Sequence, residues 1–333
     1  MKMKLNRRSF IQQSAVVTSG VLLSSFPASL TSCKKEELFK ISLAEWSVNN
    51  QIFGKAREAG WEKFNDMLHN DFASIEKSAT MKNIEFPAYA RRLGIDAVEY
   101  VNTCFFDKAQ NQAYLIDLNK ACDDAGVKSL LIMCDAEGMV GAPTREERLQ
   151  TLENHKKWID AAAFLGCHSV RVNAGSQGSY EEQKKLAADG LHLLCEYGEL
   201  ANINILVENH GGYSSDGSWL ADVMNMTDHP RIGTLPDFAN FRVSYDPEIW
   251  YDRYQGVEEL MPFAKAVSAK SIRFDEEGNE AETDYERMIG IVLDAGYRGY
   301  IGIEYEGSEL SEEEGIIATK RLLEKVRANY QKS

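Results

Sequence analysis

An alternation of two periodicities constrains this chain more than any other feature. Short apolar stretches that fit strands are followed, eight times over, by longer amphipathic stretches that fit helices. The spacing predicts strands over 39–47, 97–103, 127–135, 169–173, 205–208, 232–237, 266–274 and 300–306. Helices are predicted over 86–93, 109–125, 145–165, 180–201, 218–226, 249–264, 284–295 and 312–330, and Gly126, Gly166 and Gly296 stop three of them. Strands joined through helices pair in parallel. Eight such units in a chain of 333 residues predict one closed (β/α)8 barrel. A doubly wound sheet fits less well, because no GxGxxG follows the first strand. One stretch breaks the rhythm. Residues 49–83, rich in Phe, Trp, Asp, Asn and Lys, are longer than a usual connection and predict a lid or an inserted helical piece.

The N terminus lies outside this pattern. Arg7-Arg8-Ser9-Phe10 precedes an apolar, small-residue run over 15–30, and Leu30-Thr31-Ser32-Cys33 follows. This resembles a bacterial twin-arginine export signal ending in a lipoprotein cleavage box. The resemblance implies an exported protein, periplasmic or membrane-anchored, with a lipid on Cys33. The expected division is then a signal over 1–33, a linker over 34–38 and the barrel over 39–333. The remaining cysteines, Cys104, Cys122, Cys134, Cys167 and Cys195, are odd in number and form no CxxC pair, so buried thiols are expected rather than a disulfide framework. With 51 acidic against 37 basic residues, the net charge of −14 argues against nucleic acid as a partner. The sequence is compatible with a homo-oligomer.

Barrels of this kind carry their chemistry at the C-terminal ends of the strands. Side chains two apart on a strand share a face, so the strand ends can be read for convergent groups. The fifth strand, in Asn204-Ile-Leu-Val-Glu-Asn-His-Gly-Gly212, offers Glu208 and His210. The sixth ends in Asp237, and the eighth offers Glu304 and Glu306. Arg171 and Asn173 come from the fourth, Ser268 and Lys270 from the seventh, Glu99 from the second, and Trp46 from the end of the first. Three carboxylates crowded together raise one another's pKa unless a cation neutralises them. A divalent metal is one solution, with Mn or Mg favoured by carboxylates and Zn or Co once an imidazole joins. Salt bridges to Arg171 or Lys270 are the other.

The order VENHGG, LPDFAN and GIEYEG on the fifth, sixth and eighth strands resembles the xylose isomerase-like TIM barrels, the sugar phosphate isomerase/epimerase family. That resemblance implies one divalent metal held by a Glu, an Asp, a His and a Glu. Glu208, Asp237 and Glu304 match, but the seventh strand offers Ser268 where the family has histidine, with Lys270 two residues on. Of the six histidines, His210 is the leading candidate for the missing ligand or for a substrate contact. The implied chemistry is proton abstraction next to a carbonyl of a carbohydrate, with Glu208, Glu304 and Lys270 as catalytic groups. Trp46, Glu99, Arg171, Asn173, Asn209 and Glu306 are the expected substrate contacts. Two other readings follow from the same residues: cleavage of a keto-glycoside by the same first step, and a non-catalytic sugar-binding lipoprotein on a barrel that has lost its histidine. A nuclease of the endonuclease IV type fits poorly, since its site needs more histidines than this chain offers.

Overall fold

The computed structural model describes residues 37–332, so the export-type signal and Cys33 lie outside the described residues. Eight strands form one parallel sheet: β1 Lys40–Ala44, β2 Ala97–Val101, β3 Lys128–Met133, β4 Ser169–Val172, β5 Asn204–Glu208, β6 Ile232–Leu235, β9 Val267–Ser271 and β10 Tyr300–Tyr305. Their order, β6-β5-β4-β3-β2-β1-β10-β9, is that of a barrel cut open between β6 and β9. That seam is held by parallel bridges at Thr234–Ala264 and Asp237–Ser268. The Ser268 amide donates to the Pro236 carbonyl at 2.9 Å, and the Phe238 amide donates to the Ser268 carbonyl at 3.1 Å. The predicted (β/α)8 barrel is therefore the observed architecture.

The strands form where the sequence is apolar on both faces, because a parallel sheet is covered by helices outside and filled inside. β2 and β9 are buried at every position. The outer helices start on residues that satisfy their own first amides. Thr144 with Glu147, Ser179 with Glu182 and Ser311 with Glu314 each make a reciprocal capping box. The five cysteines from Cys104 to Cys195 are buried free thiols. No helix of the described residues is long and apolar enough to cross a membrane.

Two segments differ in detail from the sequence reading. The helix predicted over 249–264 begins later, at Arg253–Leu260 behind the Asp252 cap. Ahead of it stands an antiparallel hairpin, β7 Arg242–Tyr245 and β8 Glu248–Trp250, turned at Asp246-Pro247. The aromatic and β-branched residues on both sides of the turn suit strands, and Arg242 stacks on Tyr245 at 4.0 Å and on Trp250 at 5.1 Å. The first strand also stops early, at Ala44, and passes into a 3-10 turn over Glu45–Val48. The long connection over 49–83 is the inserted helical piece: helices Asn49–Phe53, Trp61–Asn70 and Phe72–Ser78.

Candidate functional site

Strand register brings the expected residues to one end of the barrel. Glu304 on β10 pairs in register with Lys270 on β9, and Asp237 bridges Ser268 across the seam. Glu208, Asp237 and Glu304 each present an oxygen within 4.8 Å of the others, and all three are buried. Among the described residues this is the one cluster of three or more His, Cys, Asp or Glu side chains close enough to share a metal.

Each acid is held by a different set of partners. Asn240 Nδ2 donates to Glu208 Oε1 at 2.9 Å. Arg171 Nε lies 2.8 Å from Glu208 Oε2, yet the angle leaves neither atom with a hydrogen bond. The pair is a charge contact, and Oε2 keeps its lone pairs free. Asp237 Oδ1 accepts the Ala239 and Asn240 amides at 2.8 and 2.9 Å. The Ser268 hydroxyl lies 2.8 Å from Asp237 Oδ2 and 3.3 Å from Glu304 Oε2, spanning the two acids. Lys270 Nζ lies 3.1 Å from Glu304 Oε1, 3.4 Å from Glu306 Oε2 and 4.0 Å from Asp237 Oδ2.

The electrostatics follow from this packing. Burial pushes the Glu208 carboxyl up to about 7 against the pull of Arg171, and Glu304 adds to the rise. Burial likewise raises Asp237 to about 7, opposed by Lys270 and reinforced by Glu304 and Glu208. Burial alone would discharge Lys270, but Glu304, Asp237 and Glu306 hold its ammonium well above the ordinary lysine value. For Glu306 burial works upward, and Lys270, a hydrogen bond from Trp46 and the His210 side chain together leave the carboxyl below its usual range.

The other expected residues sort by position. Trp46, Arg171, Asn173, His210 and Glu304 line one cavity of about 410 Å³. His210 stands on that wall outside the three-acid cluster. His210 is exposed to solvent, and partial desolvation with the Arg171 charge favours its neutral imidazole. Asn209 is fully buried; its Oδ1 accepts the Asp237 amide at 2.8 Å and its Nδ2 donates to the carbonyls of Asp237 and Asn240. It shapes the turn that presents Asp237. Glu99 sits inside the barrel, where Ser42 donates to its Oε1 at 2.6 Å while Oε2 has no partner. A side chain at Gly302 would meet that carboxylate at 2.7 Å, so the glycine makes room for the acid.

Three contributions escape the sequence reading. Asp135, at the end of β3, accepts from Arg171 Nη1 and Asn173 Nδ2, both at 2.9 Å. Burial works to raise its carboxyl, but the Arg171 and His210 charges and the hydrogen bonds from Arg171 and Asn173 together leave it below the usual range. Since Met133 pairs with Arg171, Asp135 falls level with Asn173, and that register was the available signal. Asn240 sits three residues past Asp237 and reaches back to Glu208. Arg57, Trp61 and Phe64 enter the cavity wall from the segment after β1, which carries no motif. A separate hollow of about 510 Å³ beside Tyr254, Glu280 and Lys325 shares no lining residue with this cavity.

The donor set fits a divalent ion. Three carboxylates that can each turn one oxygen to a common point supply half of an octahedral shell. Ser268, in place of an imidazole, leaves the fourth corner to water, substrate or a neighbouring side chain.

Comparison with known proteins agrees with this fold. Residues 87–326 match the family described as xylose isomerase-like TIM barrel. A local stretch of 101 residues is 33% identical to a C-glycoside deglycosidase alpha subunit from Arthrobacter globiformis, covering 29% of this chain and 27% of that protein. The match thus spans about a quarter of that relative. Among solved structures, a 3-keto-D-glucoside 4-epimerase from E. coli superposes with a TM-score of 0.56 at 16% identity, over 72% of this chain and 94% of the other. A xylose isomerase-like barrel from Mycobacterium smegmatis in complex with magnesium superposes with a TM-score of 0.60 at 16% identity, over 88% and 99%. At such identities the likeness is one of fold.

Proposed function

Because the chain belongs to the xylose isomerase-like TIM barrel family, we propose that it is an isomerase or epimerase that moves a proton next to a carbonyl of a free or oxidised sugar. The observation that carries this reading is the convergence of Glu208, Asp237 and Glu304 beside two buried cations, Arg171 and Lys270. Such a set can take a proton from carbon and steady the negative charge left behind.

In this reading Glu208, Asp237 and Glu304 hold a divalent ion, Mn, Mg, Zn or Co, which when bound polarises substrate oxygens. The remaining work belongs to the chain. One of the two carboxylates, Glu208 or Glu304, takes the proton from the carbon beside the carbonyl. The C–H electron pair moves into the carbonyl to give an enediolate. The ammonium of Lys270 and the guanidinium of Arg171 face the developing oxyanion. The protonated carboxyl then returns the proton, or its partner delivers one from the other side, and the carboxylates are regenerated. Burial lifts Glu208 to about 7 in the metal-free protein, and a bound ion would favour its deprotonated, proton-accepting form. Asp135, Asn173 and His210 orient hydroxyls.

A second reading shares the first step: the enolate expels a leaving group β to the ketone of a keto-glycoside. The local similarity to a C-glycoside deglycosidase favours it. An exported chain anchored through Cys33 would meet unphosphorylated sugars, which suits both readings. The deciding experiment incubates purified protein and a divalent ion with free and 3-keto sugars in deuterium oxide. Deuterium entering a substrate C–H supports the shared first step, and release of an aglycone selects the second reading. No exchange across the panel overturns both.

A further inference from the structure

We propose that the cavity has a second compartment, built by the segment after β1, which takes the aromatic aglycone of a glycoside. This deepens the second reading above, cleavage of a keto-glycoside, and rests on it, naming aryl glycosides as the substrate class.

The cavity has two unlike walls. Asp135, Arg171, Asn173, His210 and Glu304 make the polar one, suited to sugar hydroxyls. Trp46, Arg57, Trp61 and Phe64 make the other. The aromatic rings there form a connected series: Trp46 to Phe53 at 5.8 Å, Phe53 to Phe64 at 5.1 Å, and Phe64 to Trp61 at 6.1 Å between centroids. Phe53 and Phe64 are buried and fix the series, whereas Trp61 is 61% exposed. The guanidinium of Arg57 lies 4.6 Å from the Trp46 ring centre and is anchored by its hydrogen bond to Asn49, adding a second flat cation-bearing surface.

The open cavity of about 410 Å³ extends along both the polar and the aromatic residues. A monosaccharide on the polar wall leaves the aromatic wall uncovered. A planar apolar group joined to that sugar covers it, removing exposed indole from water and stacking against it.

The test measures binding by calorimetry for matched phenyl and methyl 3-keto-β-glucosides, with the full chain and then with Trp61→Ala and Trp61→Phe. The expected result is a preference of about tenfold for the phenyl compound, lost in Trp61→Ala and largely kept in Trp61→Phe. Trp61 is exposed at the end of its helix, so its truncation leaves the fold intact. Equal affinity for the two compounds, no binding of either, or a preference indifferent to Trp61→Ala overturns the proposal. The readout is independent of turnover. A phenyl preference without deuterium exchange rejects the proposed chemistry and keeps the compartment; exchange without the preference does the reverse.

Discussion

Lys270 Nζ lies 3.1 Å from Glu304 Oε1, and the two residues are register partners on neighbouring strands. The barrel thus delivers a buried ammonium to the edge of an acid cluster at which the family takes a histidine from the same strand. A cation is already present where a metal would sit nearby, so lysine and metal share one pool of negative charge.

Replacing that lysine separates the two. Lys270→Met should lower the thermal stability of metal-free protein, because Glu304 and Glu306 lose their buried partner. It should also raise divalent-ion affinity by about tenfold, since one competing charge is gone. Calorimetric titration with Mn²⁺ checks this. An unchanged affinity means that Lys270 does not compete.

Glu304→Gln keeps the shape of the side chain and removes its charge. Solvent exchange into substrate should fall by roughly 10²- to 10⁴-fold, with the circular dichroism spectrum unchanged. Full activity in this variant rules out Glu304 as a proton carrier.

Metal affinity should depend on pH in a set direction. Glu208 and Asp237 are both raised to about 7, and an ion binds their deprotonated forms. Affinity should therefore climb from pH 5 through pH 7 and level off above about pH 8, which titrations across that range would reveal. A flat profile would contradict the shared site.

Stability should depend on pH through a different acid. Glu45 is fully buried, accepts from Asn83 Nδ2 at 2.7 Å and from the Val101 amide at 3.0 Å, and is pushed by burial up to about 8. The folded protein holds this proton more tightly than the unfolded chain, so the contribution is present below the unfolded value and is lost as pH rises through about 8. The melting temperature should fall by roughly 5 °C across that window, and Glu45→Gln should flatten the slope. Equal slopes in the two proteins count against Glu45 as the source.

Much of the acid cluster is legible in the sequence. The strand ends in VENHGG, LPDFAN and GIEYEG carry acids at the positions the barrel brings together, because period-2 alternation fixes which face each residue joins. What resisted reading depends on chain paths. Asp135 follows Met133-Cys134 in an ordinary apolar run, and only lateral register places it beside Asn173. The family resemblance reads Asn209 as a substrate contact. Its face is instead turned to the Asp237 backbone. The hairpin over 242–250 lies within a stretch whose aromatic residues also fit a helix, and the turn at Asp246-Pro247 decides between them.

The seam between β6 and β9 ties chemistry to mechanics. Asp237 is both a member of the acid cluster and one half of a bridge that shuts the barrel. A cation gripped by Glu208, Asp237 and Glu304 would act as a rivet, fastening β5 and the end of β6 to β10 across the joint that isolated bridges close. Filling or emptying the cluster would then set how readily the whole cylinder springs open, rather than how one loop moves. The amides of Phe238 and Ser268, which bond across that joint, are where hydrogen exchange would register it first.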